Sequence, residues 1–158
     1  MGLLKNIDPL LIPDLLHILR SMGHGDKLVI CDCNFPAAQV ATQTTSGKHC
    51  MLTVSLPEAL QAICSVLPLD FFAATQAVYM GPQEHVEVPP AGLEVVSALQ
   101  VAIRGHCPDA IIEPLERFAF YEEAKTCFAV VQTMERRPYG NVVLTKGCVG
   151  PGGLDLKP

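Results

Sequence analysis

The chain has 158 residues, of which 49% are hydrophobic and only 17% charged, with 11 basic side chains against 16 acidic ones. That length suffices for one domain, spanning 1–158, whose core needs no disulfide staples. The mildly acidic balance and the lack of any basic tract argue against a nucleic-acid partner. No run is apolar enough to cross a bilayer and no signal core precedes Pro9, so the expected address is cytoplasmic, with no membrane partner. A polar surface this lean predicts that part of it is covered in a homo-oligomer. The cysteines at 31, 33, 50, 64, 107, 127 and 148 are odd in number and form no Cys-x-x-Cys pair. They read as free thiols of a reducing compartment.

Leu15, Ile18, Leu19 and Met22 recur at helical spacing and predict a helix over 15–22, capped by Asp14. Gly23 is expected to end it in the left-handed conformation. A short apolar strand follows over 27–32. Residues 33–38 form an irregular loop that Pro36 keeps out of helix, and 39–49 a weak strand or loop. A second strand covers 50–54. Ser55 and Glu58 then make a capping box for a helix with Leu60, Ile63, Cys64 and Leu67 on its apolar stripe. A third strand runs over 75–80, and Leu93, Val96, Leu99 and Ile103 mark a helix that stops near Gly105. A short strand at 111–112, a helix over 117–125 and strands at 128–133 and 142–146 complete the pattern. The glycine-rich tail after about residue 148 is expected to be disordered. Alternation at this spacing defines an α/β class, a three-layer α/β/α arrangement on a mixed, mostly parallel sheet. The last two strands have only a turn between them, so they pair antiparallel or part ways.

Two groups stand out as chemistry. His24 lies between Gly23 and Gly25 on a tight loop, and histidine is the side chain that titrates near neutrality. Asp32 ends the first strand, where open α/β sheets place their ligand-binding groups. Together they suggest proton transfer on a small polar ligand, whereas the bland alternative is a solvated turn and a capping aspartate. Cys31 and Cys33 with His24 make a thin case for a metal site.

Five separated segments carry a stronger signal: Met22-Gly23-His24-Gly25-Asp26, Asp32 with Phe35-Pro36, Cys107-Pro108-Asp109, Arg117-Phe118-Ala119-Phe120-Tyr121-Glu122, and Tyr139-Gly140-Asn141. In order and spacing the chain resembles the sugar mutarotases of the RbsD/FucU family, from about Ile7 to Gly147. The aromatic block and Pro68-Leu69-Asp70 resemble the fucose branch. The resemblance implies interconversion of the α and β anomers of L-fucose, with no cofactor and no metal. It assigns His24 as proton donor, with Asp70 and Tyr121 as catalytic partners. It assigns Asp32, Met80, Arg117, Tyr121, Tyr139 and Asn141 to the bound monosaccharide. It also implies rings or dimers with the site near a subunit contact. Cys33-Asn34 departs from bacterial relatives, which carry Ala-His there, leaving His24 as the one plausible imidazole.

The chemistry read from the residues agrees. Mutarotation protonates the ring oxygen and deprotonates the anomeric hydroxyl, so a group that gives and takes a proton near pH 7 is enough. Asp32 and Asn141 suit vicinal hydroxyls, and Met80, Phe118 or Phe120 would suit the methyl group of L-fucose. The alternatives are a ribose pyranase acting on D-ribose and a non-catalytic monosaccharide-binding module.

Overall fold

The computed structural model describes residues 2–158. In chain order it contains α1 (Pro13–Ser21), β1 (Lys27–Cys31), α2 (Ala37–Ala41), β2 (Lys48–Met51), α3 (Leu56–Cys64), β3 (Ala77–Gly81), α4 (Pro90–His106), β4 (Ile112–Glu116), α5 (Arg117–Lys125), β5 (Ala129–Gln132) and β6 (Val142–Thr145). The strands form one sheet in the order β2-β5-β1-β6-β3-β4. The β1–β5, β2–β5 and β3–β4 pairs are parallel, while β6 runs antiparallel to both β1 and β3. The sheet is therefore mixed and mostly parallel, as the α/β alternation predicts. The last two strands part ways, and β1 lies between them.

Successive side chains of a strand point to opposite faces, and here both faces are apolar. Leu28 and Ile30 of β1, Ala129 and Val131 of β5, and Val142 and Leu144 of β6 pack under α1, α3 and α4. Val29 and Cys31, Val130, and Val143 from the same strands pack under α2 and α5. This is why the central strands read as unbroken apolar runs: a sheet covered on both sides has no polar face to alternate with. Pro114 fits within β4 because that strand lies at the sheet edge, where a missing N–H costs no ladder bond.

Several local expectations are corrected. Helix α1 begins at Pro13 with no side-chain cap, so Asp14 sits in its first turn rather than capping it. The left-handed residue of the following loop is Gly25, with φ 83°, not Gly23. The Gly23 N–H instead donates to Asp26 Oδ2 at 2.7 Å. Residues 37–41 are helical, although a loop was expected up to 38 and a weak strand or loop from 39. Proline constrains the residue before it, and Pro36 itself occupies the N-cap position, with Ala37, Val40 and Ala41 buried beyond it. Strand β2 starts at Lys48, earlier than expected, and β4 extends to Glu116. The tail, expected to be disordered, folds into a closed turn. Val149 and Asp155 bridge antiparallel, Gly150 N–H donates to Leu154 O, and Cys107 Sγ donates to Asp155 Oδ2 at 3.3 Å. Glycines there supply a tight reversal, including Gly153 at φ 79°.

Candidate active site

Because β6 runs against β1 and β3, the carboxyl ends of β1 and β3 meet the start of β6 at one end of the sheet. Asp32 follows β1, Met80 closes on β3, and Asn141 precedes β6. Helix α5, which follows the neighbouring end of β4, adds Arg117 and Tyr121. These five side chains, with Tyr139, Asn34, Phe35 and Pro138, line a cavity of about 310 Å³. The six residues expected to bind sugar are thus brought together.

At its floor, Asp32 and Asn141 form a reciprocal pair. The Asp32 N–H donates to Asn141 Oδ1 at 3.0 Å, and Asn141 Nδ2 donates to Asp32 Oδ2 at 2.9 Å. Asn34 N–H donates to the other carboxylate oxygen at 2.9 Å. Asp32 is only 4% exposed. Burial raises its pKa above the ordinary aspartate value, with the hydrogen bonds from Asn34 and Asn141 opposing and the charge of Glu135 adding slightly. A buried carboxylate with lone pairs left over is an acceptor for hydroxyl groups.

One wall is apolar. Met80 lies within 3.7 Å of Asn141 Nδ2 through its sulfur, and Phe35 stacks on Tyr121 with centroids 5.4 Å apart and 21° between planes. The Arg117 guanidinium sits 5.9 Å from the centre of the Tyr121 ring. Phe118 and Phe120, the expected apolar wall, serve elsewhere. Phe120 is fully buried in the core and Phe118 points to solvent. Phe35 takes that role, and the sign of it in the sequence was its place just beyond the first strand.

His24 lies at the other end of β1. Its Nε2 is 3.1 Å from Asp70 Oδ1, and its ring meets Phe72 edge-on at 6.4 Å. The imidazole is about half exposed, while the Asp70 carboxyl is 9% exposed. Both loops are tied to the end of β6. Gly25 N–H donates to Lys146 O, Asp70 N–H to Thr145 O, and Gly147 N–H to Pro68 O. Lys146 Nζ donates to Leu19 O and Met22 O at the end of α1. Phe72 N–H donates to Asp70 Oδ1, the same oxygen that faces His24. Within one chain, the expected catalytic set is therefore split: His24 pairs with Asp70, whereas Tyr121 belongs to the cavity. The five residues of β1 separate the two places, roughly 16 Å of extended chain. The same separation keeps Cys31 and Cys33 from His24, and among the described residues no cluster of three ligating side chains fit for a metal occurs.

The fold and cavity define an α/β protein that offers paired acceptors, an amide and an apolar wall to a small, hydroxyl-rich ligand. Residues 5–149 match the model of the RbsD / FucU transport protein family, and the chain belongs to that family. It is similar to the fucose mutarotase of Danio rerio, with 39% identity over 96% of this chain and 97% of the relative. The fucose mutarotase of Homo sapiens is 38% identical over 93% of this chain and 95% of that protein. The crystal structure of the Streptococcus pneumoniae fucose mutarotase in complex with L-fucose superposes with a TM-score of 0.79 at 33% identity, covering 93% of this chain and 100% of that one.

Proposed function

We propose that this protein is an L-fucose mutarotase that opens and recloses the pyranose ring by general acid-base catalysis. What carries the reading is the Asp32–Asn141 pair beside an apolar Met80–Phe35 wall, in a chain whose relatives are named for this activity. A sugar held there presents vicinal hydroxyls to Asp32 and Asn141 and its methyl group to Met80 and Phe35. Tyr139 and Arg117 complete the lining.

In the forward step a donor protonates the ring oxygen while a base takes the anomeric hydroxyl proton. The ring C–O bond breaks and the free aldehyde forms. Rotation about one C–C bond and the reverse proton transfers give the other anomer, with no net consumption of protons. His24 is the donor, Asp70 holds its ring through the 3.1 Å contact with Nε2, and Tyr121 faces the sugar from α5. His24 and the cavity lie at opposite ends of β1, so one catalytic site takes its imidazole from one copy and its cavity from another. A homo-oligomer follows from that division, and no cofactor or metal is needed by the chemistry.

Saturation-transfer NMR on a panel of sugars tests the reading. Catalytic amounts of protein are expected to speed exchange between the anomeric protons of L-fucose well beyond the uncatalysed rate. Faster exchange of D-ribose than of L-fucose would replace the substrate, and binding without exchange would leave only a sugar-binding module.

A further inference from the structure

A buried carboxylate that the chemistry above does not use lies directly behind the sugar cavity. Glu135 is 4% exposed, and it contacts the two loops that carry Asp32 and the 138–141 turn as well as the start of α3. Its Oε1 accepts from the Arg136 and Arg137 N–H groups at 3.0 Å and from Arg137 Nε at 2.8 Å. Oε2 accepts from the Arg137 terminal nitrogen at 2.8 Å and from the first N–H of α3, at Leu56, at 3.4 Å. Its carbonyl accepts from Cys33 N–H at 2.9 Å, one residue beyond Asp32. The Gly140 backbone is wedged between Glu135 and Asp32. A methyl group added at Gly140 would come within 2.8 Å of Glu135 Cγ and 3.5 Å of Asp32 Cβ. Between Arg137 and Gly140, Tyr139 holds φ at 65°, a left-handed backbone that a bulky residue keeps only when its surroundings impose it.

We infer that Glu135, clamped by Arg137, is a positioning residue that sets the turn over 135–141 so that Tyr139 and Asn141 meet the sugar. The inference rests on the sugar reading of the cavity for its functional consequence, and on geometry alone for its structural one. Glu135 never touches the ligand. The carboxylate fixes the backbone of Arg136 and Arg137, the bidentate guanidinium closes the turn from outside, and the packed Gly140 transmits that position to Asn141. From there the reciprocal pair reaches Asp32. Gly92 of α4 leaves room for the same turn, since a side chain there would press on Pro138 O and the Tyr139 ring, both at 3.2 Å.

Three tyrosines, at 79, 121 and 139, make the test direct. In protein labelled with 13C at tyrosine Cα, one of three resonances reports the left-handed backbone of Tyr139. In Glu135→Gln that resonance is expected to move toward extended values, and half-saturation for L-fucose to rise about tenfold while turnover at saturation stays within about twofold. Arg137→Lys keeps a cation but not the fork and is expected to fall between parent and Glu135→Gln. A role in stability alone would lower the melting temperature and the folded fraction, leaving the resonance and half-saturation of the folded molecules unchanged. That result overturns the inference. Should Glu135→Gln fail to fold, Arg137→Gln, altered at a side chain one-third exposed, is read by the same two measurements. If the parent exchanges no L-fucose, the sugar reading fails, and the tyrosine spectrum still decides the geometric claim.

Discussion

Replacing Glu135 by glutamine has a pH signature that follows from its contacts. The paired guanidinium of Arg137 is the main cause, aided by backbone N–H donors and opposed by burial, that holds the carboxyl down at about 2 against an ordinary 4.5. A carboxyl depressed in the folded state stabilises it above the unfolded pKa and loses that contribution as pH falls through the folded one. The full difference, about 2.5 pH units at about 1.36 kcal/mol each, would give about 3.4 kcal/mol. Arg137 is one-third exposed, and water screens its share. Hydrogen bonds to charged groups otherwise contribute about 1.5–3 kcal/mol, so the expected net is about 2 kcal/mol. Urea titrations of parent and Glu135→Gln, at one protomer concentration, should therefore differ by about 2 kcal/mol at pH 7 and by less than half of that at pH 3. A gap of the same size at both pH values would refute the charge-based account, leaving a shape effect in its place.

His24→Ala is expected to slow L-fucose exchange by about 10² to 10⁴, the usual worth of a placed acid-base group, with sugar binding retained in a ligand-observed titration. Gly147→Ala puts a methyl group 2.3 Å from Leu69 O and 2.8 Å from Asp70 Cα, so the loop holding Asp70 must shift. Its exchange rate should fall along with its melting temperature. Thiol titration of the native protein with an aromatic disulfide should modify Cys33 and Cys148 quickly, since both are partly exposed. Cys31, Cys64, Cys107 and Cys127 are buried, and burial pushes each thiol pKa up, so they should react only on unfolding.

The layers of the fold were legible because the central strands are apolar on both faces and Ser55-Leu56-Pro57-Glu58 announces its helix. Helix α2 was not, since five residues with three alanines carry too little periodicity to outweigh the proline before them. The cavity residues were legible mainly through family resemblance: Arg117 by itself reads as a surface cation. Glu135 was hidden because a glutamate between a strand and a charged turn looks solvated, and only tertiary contact with Leu56 and Gly140 buries it. Asp32 and His24 are taken together in the sequence because eight positions are few. A fully extended strand carries them to opposite ends of the sheet instead.

That separation makes one measurement the most direct. Prepare His24→Ala, which keeps the cavity, and Asp32→Asn, which keeps the imidazole, and mix them at equal amounts under conditions where subunits exchange. If each site joins His24 of one copy to the cavity of another, about one site in four at random mixing receives both intact parts, and about a quarter of parental L-fucose exchange should return. Mixtures no faster than the two inactive variants alone, despite demonstrated subunit exchange, would contradict a site shared between copies.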